Sequence, residues 1–223
     1  MERIICIVIG YIFGLFQTGY IYGKLNHVDI RDYGSGNAGT TNAMRVLGKK
    51  AGIITYLGDC LKAVAASLVI YFLFKSQPSD YLFMLKIYGG LGVVLGHNFP
   101  FYMGFKGGKG IAASSGVILG LGDMKLTLIA LFTFVIVTVL TKYVSVGSLT
   151  MMAGFFVEFI VFNELKIIGF KNNMHFMGNE RIEVYILVFV ISALAFIKHR
   201  ANIQRLIAGN ERTVSYTHLT LPT

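Results

Sequence analysis

Seven apolar runs divide the chain: residues 4–25, 51–74, 81–97, 111–122, 125–141, 144–162 and 183–197. Most approach the roughly 17–25 residues that a membrane-spanning helix needs. The pattern predicts an all-α fold, a polytopic integral membrane helix bundle with seven transmembrane helices. The run 111–122 is short, and it reads either as a span or as a re-entrant piece. The first run lacks a basic start (Met1-Glu2-Arg3) and leads into a polar loop, so it is not read as a secretory signal.

Charge fixes the orientation. Lysines and arginines concentrate in cytoplasmic loops of membrane proteins. Segments 24–50, 98–110, the turn near 142 and the tail from 198 carry 12 basic residues, and the opposite loops carry 6. An odd span count puts all four basic segments on one side. The expected topology is an outside N-terminus and a cytoplasmic C-terminus. Six spans, with 111–141 fused into one helix, would put the basic tail outside.

Composition agrees with the pattern. The chain is 55% hydrophobic and 14% charged, against about 25% charged in a soluble globular chain. These values exclude disorder. The net charge of +9 would suggest nucleic acid in a soluble protein, but beside apolar spans it reads as membrane loops. Cys6 and Cys60 lie in apolar runs without ligand spacing, so no metal site is expected. Pairs at small-xxx-small spacing (Gly10/Gly14, Gly19/Gly23, Gly92/Gly96, Gly116/Gly120) predict close helix contacts. Residues 1–213 read as one domain. Val214–Thr223 is uncharged and Thr-rich, and reads as a non-native or disordered tail.

Three segments are too polar and Gly-rich to be plain connectors. The first, Gly34-Ser35-Gly36-Asn37-Ala38-Gly39-Thr40-Thr41-Asn42-Ala43-Met44-Arg45, combines a free backbone and neutral donors with one planar cation suited to phosphate. The second runs from Gly96-His97-Asn98-Phe99-Pro100 to Gly104-Phe105-Lys106-Gly107-Gly108-Lys109-Gly110 and opens into an apolar run. A Gly/Lys loop at a helix start is an anion site. It is not a Walker A loop, because Met103 stands where the first Gly should be and no Ser or Thr follows Lys109. The third, His199 to Glu211, puts His199, Asn202 and Arg205 on one helical face. Asp59 and Lys62, at i and i+3 inside the second span, are expected to pair towards the bundle interior. Glu158 carries no assigned role.

These three ordered motifs, together with Asp59-x-x-Lys62, closely resemble those of the PlsY family, the bacterial acyl-phosphate:glycerol-3-phosphate acyltransferases. The resemblance covers residues 1 to about 212. Ala63 departs from the usual Gly, and Val214–Thr223 has no counterpart. The resemblance implies a seven-helix enzyme of the bacterial inner membrane with its site facing the cytoplasm. It would transfer a fatty acyl chain from acyl phosphate to sn-glycerol 3-phosphate, releasing lysophosphatidate and inorganic phosphate, the first acylation of phospholipid synthesis. Its partners are acyl phosphate, glycerol 3-phosphate and the lipid bilayer, with no nucleic acid, cofactor or metal.

By the same resemblance, His97, Lys106, Gly107, Gly108, Lys109 and Gly110 hold the acyl phosphate. Ser35, Asn37, Arg45, His199 and Asn202 hold glycerol 3-phosphate. His199, Asn202, Lys109 and Ser35 are the expected catalytic set, with Asp59 and Lys62 in support. The general base stays open between His199, His97 and a substrate phosphate. Two other readings compete with this one. One is a His27/Asp32 dyad at His-x4-Asp spacing, as in unrelated acyl-CoA-type acyltransferases. The other is a small transporter, against which the polar motifs lie in loops at one face and not mid-span in repeated halves.

Overall fold

The computed structural model describes residues 1–169 and 174–213. The tail predicted at 214–223 lies outside the described residues, as does Lys171. Among the described residues the regular elements are all helices, apart from an isolated bridge between Ile168 and Met174.

In chain order they are α1 (Glu2–Gly14), α2 (Thr18–Leu25), α3 (Thr40–Phe74), α4 (Ser79–Asn98), α5 (Ile111–Leu121), α6 (Met124–Thr141), α7 (Val144–Glu164), α8 (Gly178–Lys198) and α9 (Arg200–Ile207). Five units are long and apolar enough to cross a membrane: α1 with α2, α3, α4, α6 and α7. The pair α8–α9, bent by 58°, makes a sixth. The 11-residue α5 is only about 16 Å long. It ends on Gly122 in the left-handed region (φ 81), and Asp123 then caps α6 by accepting from the Lys125 and Leu126 N–H groups. The run 111–141 is therefore two helices, and the fused single helix is excluded.

Glycine sets the tightest seam. A Cβ at Gly10 or Gly14 on α1 would strike the backbone of α4, and one at Gly92 or Gly96 on α4 would strike that of α1. Gly116 of α5 lies equally close to the Cys60 carbonyl on α3. In lipid, where apolar surface gains nothing by leaving solvent, such close approach supplies the packing energy. Aromatic and aliphatic side chains fill the centre, among them Phe83, Phe155, Phe159, Met84, Met152 and Ile118. Leu131, Phe132, Val135, Ile136, Val139 and Leu140 stand exposed along α6. So large an apolar face is a lipid-facing surface.

Three breaks in this frame position the polar motifs. Residues 15–17 interrupt the first span. Gly48 (φ 85, ψ 178) kinks α3, separating a short leading helix with Asn42 and Arg45 from the span with Asp59 and Lys62. His199 sits at the α8–α9 bend.

Candidate active site

The loop before α3 is shaped by one side chain. Asn42 is 1% exposed. Its amide donates to the Ile30 and Tyr33 carbonyls at 2.7 and 3.1 Å, and its Oδ1 accepts from the Ser35 N–H at 2.7 Å. Gly34 (φ 63) leaves no room for a Cβ beside that Oδ1. Asn37 accepts from the Gly39 N–H at 2.9 Å. These bonds hold Ser35 and Asn37 at the rim of a cavity of about 560 Å³, with Arg45 one turn further along. Arg45 makes no hydrogen bond or ion pair among the described residues.

The Gly/Lys loop closes another side. Gly110, at φ 85, precedes the first turn of α5, and Lys109, Gly110, Ile111 and Ala112 line the cavity. The Lys109 ammonium donates to Asn202 Oδ1 at 2.5 Å. Burial holds its pKa down, to about 8, against the pull of Glu211. Not every residue of the motif reaches the cavity. Lys106 is exposed away from it. Gly107 is packed on the His97 carbonyl and Pro100, and Gly108 on the His97 ring. The first glycines of the loop serve close approach to the end of α4, and the cavity lining begins at Lys109.

The C-terminal motif folds over the same opening. The Asn210 N–H bonds back to the Arg205 carbonyl (2.9 Å) and the Gly209 N–H to Leu206 (3.1 Å). This Schellman ending of α9 turns the tail inward. Glu211 then accepts from Ser145 Oγ (3.0 Å), Asn202 Nδ2 (2.6 Å) and Arg205 Nε (2.7 Å). Burial would raise its carboxyl, but these three donors bring it below the usual value. His199 is 3% exposed, and its Nδ1 lies 2.7 Å from the Ala195 carbonyl. A carbonyl only accepts, so Nδ1 carries the proton and Nε2 keeps its lone pair. Burial lowers its pKa to about 4, so the ring is neutral at pH 7.

The cavity floor lies deeper, between α3 and α4. Lys62 Nζ meets Asp59 Oδ1 at 2.9 Å, the Phe16 carbonyl at 2.5 Å and His97 Nδ1 at 2.8 Å. Thr18 Oγ1 donates to Asp59 at 3.0 Å, and Gln17 Nε2 donates to the His97 carbonyl at 3.0 Å. The break at residues 15–17 frees the carbonyl that Lys62 uses. Asp59 and His97 both line the cavity.

One cavity thus gathers Ser35, Asn37, Arg45, Asp59, His97, Lys109, Gly110, His199 and Asn202. Sequence reasoning placed Asn42 and Glu211 within the motifs but gave them no role, and it passed over Ser145. An acid two residues after a Gly in an otherwise basic tail was the available signal for Glu211. Ser145, at the start of α7, carried none. His27 and Asp32 are both exposed with no hydrogen bond between them, so that dyad is not formed. No group of three His, Cys, Asp or Glu side chains among the described residues is arranged to hold a metal.

The lining is amphipathic. Arg45, Lys49, Lys109, Arg205 and Arg212 give a positive excess, while Phe134, Ile111, Ala112 and Val144 give an apolar wall. Such a site fits a ligand with an anionic head and a hydrocarbon tail.

Comparison with known proteins agrees. Residues 4–209 match the family model described as glycerol-3-phosphate acyltransferase. The chain is 36% identical to the glycerol-3-phosphate acyltransferase of Chlorobium phaeobacteroides (strain BS1) over 96% of its length and 97% of the relative's. It is 39% identical to that of Thermoanaerobacter sp. (strain X514), covering 95% of each chain. The crystal structure of PlsY (YgiH), an integral membrane glycerol 3-phosphate acyltransferase, in its glycerol 3-phosphate form superposes with TM-score 0.80 at 31% identity over 96% of both chains. Its lysophosphatidic acid form gives TM-score 0.78 at 30% identity over 97% of both. With an all-helical membrane fold and these motifs around one cavity, the chain belongs to the glycerol-3-phosphate acyltransferase family of PlsY type.

Proposed function

We propose that this enzyme transfers the acyl group of an acyl phosphate to the hydroxyl of sn-glycerol 3-phosphate, at the cytoplasmic face of the bacterial plasma membrane. The products are lysophosphatidate and inorganic phosphate, and the step is the first acylation of phospholipid synthesis. One observation carries this reading: the cations and neutral donors of three distant segments meet an apolar wall in a single cavity at one end of the bundle. The topology that goes with it has seven spans, with α5 as the short one and the N-terminus outside.

An acyl phosphate is a mixed anhydride with a good leaving group. The substrate hydroxyl adds to the carbonyl carbon, the carbon–oxygen bond to phosphate breaks, and the hydroxyl proton leaves with a phosphate oxygen or a base. The enzyme's tasks are positioning and charge stabilisation. Lys109, Gly110 and the first N–H groups of α5 would face the donor phosphate. Ser35, Asn37, Arg45, Asn202 and His199 would grip glycerol 3-phosphate. A general base works best with a pKa near the operating pH. His199, at about 4, is a weak base, and its Nε2 lone pair suits orienting the hydroxyl. A substrate phosphate, whose second pKa is about 6 to 7, is better matched to take the proton.

The test is purified protein with glycerol 3-phosphate and each donor in turn. Lysophosphatidate should form from acyl phosphate, with one phosphate released per product. Comparable formation from acyl-CoA would overturn the donor assignment.

A further inference from the structure

The buried cluster beneath the cavity has no role in the reaction just described. It joins Asp59 and Lys62 of α3 to His97 at the end of α4, and their exposures are 1%, 6% and 2%. An ammonium has three protons and no lone pair. Here four acceptors stand around it: Asp59 Oδ1, the Phe16 carbonyl and His97 Nδ1, all within 2.9 Å, and the Gly14 carbonyl at 3.4 Å. Asp59, which also accepts from Thr18, is the carboxylate that pairs with this ammonium. Since Lys62 can only donate, His97 Nδ1 must accept. The ring proton therefore belongs to Nε2.

That nitrogen has no protein partner among the described residues. It faces the Gly/Lys loop: a Cβ at Gly108 would collide with Nε2 itself. The His97 ring also lines the cavity beside Lys109 and Gly110. The Nε2–H of this buried ring thus has no protein partner among the described residues and is aimed at the loop and the cavity. Of the other charges near the ring, the Asp59 carboxylate, 3.7 Å from Nδ1, favours an imidazolium but is already paired with Lys62, and the remaining two are cations that oppose one. Lys198 lies beyond Asn98 and Phe99 at the end of α8, and Lys109 stands across the loop. A second proton on Nδ1 would point an N–H at the Lys62 ammonium.

We propose that Asp59 and Lys62 are positioning residues that lock His97 in its Nε2–H tautomer, making it a fixed neutral donor to the phosphate oxygens of a ligand bound over the Gly108–Gly110 loop. The donor half of this statement rests on reading the cavity as a phosphate site, and the lock does not. His97 is then excluded as the general base, because its only free nitrogen already carries a proton. The two cavity histidines are set oppositely: His199 presents a lone pair and His97 presents a proton.

The experiment is 15N–1H correlation of the imidazole rings in the full-length membrane protein between pH 6 and 8. The His97 signals are assigned by their absence in His97→Gln. The expected ring has a protonated Nε2 and an unprotonated Nδ1 and does not titrate in this range. An Nδ1–H tautomer or a titrating imidazolium overturns the lock; should His97→Gln fail to fold, replacing the other four histidines one at a time assigns the ring by elimination. Inorganic phosphate, added until it saturates inhibition of the transferase, should shift the Nε2–H resonance. Saturation without a shift overturns the donor role. Phosphate that does not bind overturns the phosphate-site reading and the donor role with it, while the tautomer spectrum still judges the lock.

The double variant Asp59→Asn/Lys62→Met removes both charges together. It should populate both tautomers and lower kcat about tenfold, a shift a purely structural pair would not produce. Retention of the Nε2–H tautomer with unchanged kcat would refute the positioning role.

Discussion

The floor of the cavity holds a buried cation and the rim a half-buried one, and they hold them differently. On the floor, Lys62 has acceptors of the bundle itself for all three protons, and Asp59 is paired with it. On the rim, Lys109 touches a single side-chain acceptor, Asn202, which is itself held by Glu211. Arg205 is paired to that same Glu211. The floor behaves as scaffold: a closed electrostatic unit that fixes the orientation of a ring. The rim cations are less fully paired, as the proposed reaction surface requires. An anionic ligand gains most from charges whose protein partners are few, because less must be given up when it binds.

The most severe test of this contrast is removal of each cation. Lys62→Met leaves Asp59 buried without its partner, which should destabilise the fold by about 3–5 kcal/mol. Thermal unfolding in detergent should show a large drop, mostly restored by adding Asp59→Asn. Lys109→Met should leave stability nearly intact and instead lower the rate of lysophosphatidate formation by about 10²–10³-fold, the usual cost of one charge-stabilising donor. Equal loss of stability in the two single variants would erase the distinction between floor and rim.

A smaller effect is expected at Arg45, a rim cation with no hydrogen bond or ion pair among the described residues. Arg45→Lys replaces a planar fork with a point charge. The KM for glycerol 3-phosphate should rise about tenfold, with kcat less affected. Unchanged kinetics would remove Arg45 from the grip on that substrate.

The gentlest perturbation is pH. Burial holds Lys109 down to about 8 in the folded chain, against an ordinary 10.5. Between these values the unfolded chain binds more protons, so this group's contribution to stability rises with pH across that window. The ammonium that a donor phosphate needs is lost over the same range. Initial rates should therefore fall as pH rises above about 8 while this group's contribution to thermal stability moves the other way. A rate that stays flat to pH 10 would argue that Lys109 is not the charge in use.

Much of the site was legible because its chemistry is written in local runs. Ser35, Asn37 and Arg45 lie within eleven residues of one another, and His199 with Asn202 within a single turn. The Asp59/Lys62 pair was legible too, since two charges one turn apart in a span have few alternatives to pairing. The roles inside the second motif were not. Lys106 and Lys109 look alike in sequence, yet only Lys109 lines the cavity, because the loop passes over His97 before it turns into α5.

By itself, then, the sequence determined the helical class, the membrane as solvent and the three polar segments. Each of these follows from the order of apolar and polar residues within a few turns. Only the tertiary structure decided how the segments meet. That α5 and α6 are separate helices rests on one glycine cap and one aspartate. That Glu211 ties α7, α9 and the tail together rests on contacts up to 66 residues apart. The proton positions on His97 and His199 depend on an ammonium from α3 in one case and a carbonyl of α8 in the other. A ring nitrogen's state is set by the atom it faces, and no local pattern of residues states which atom that will be.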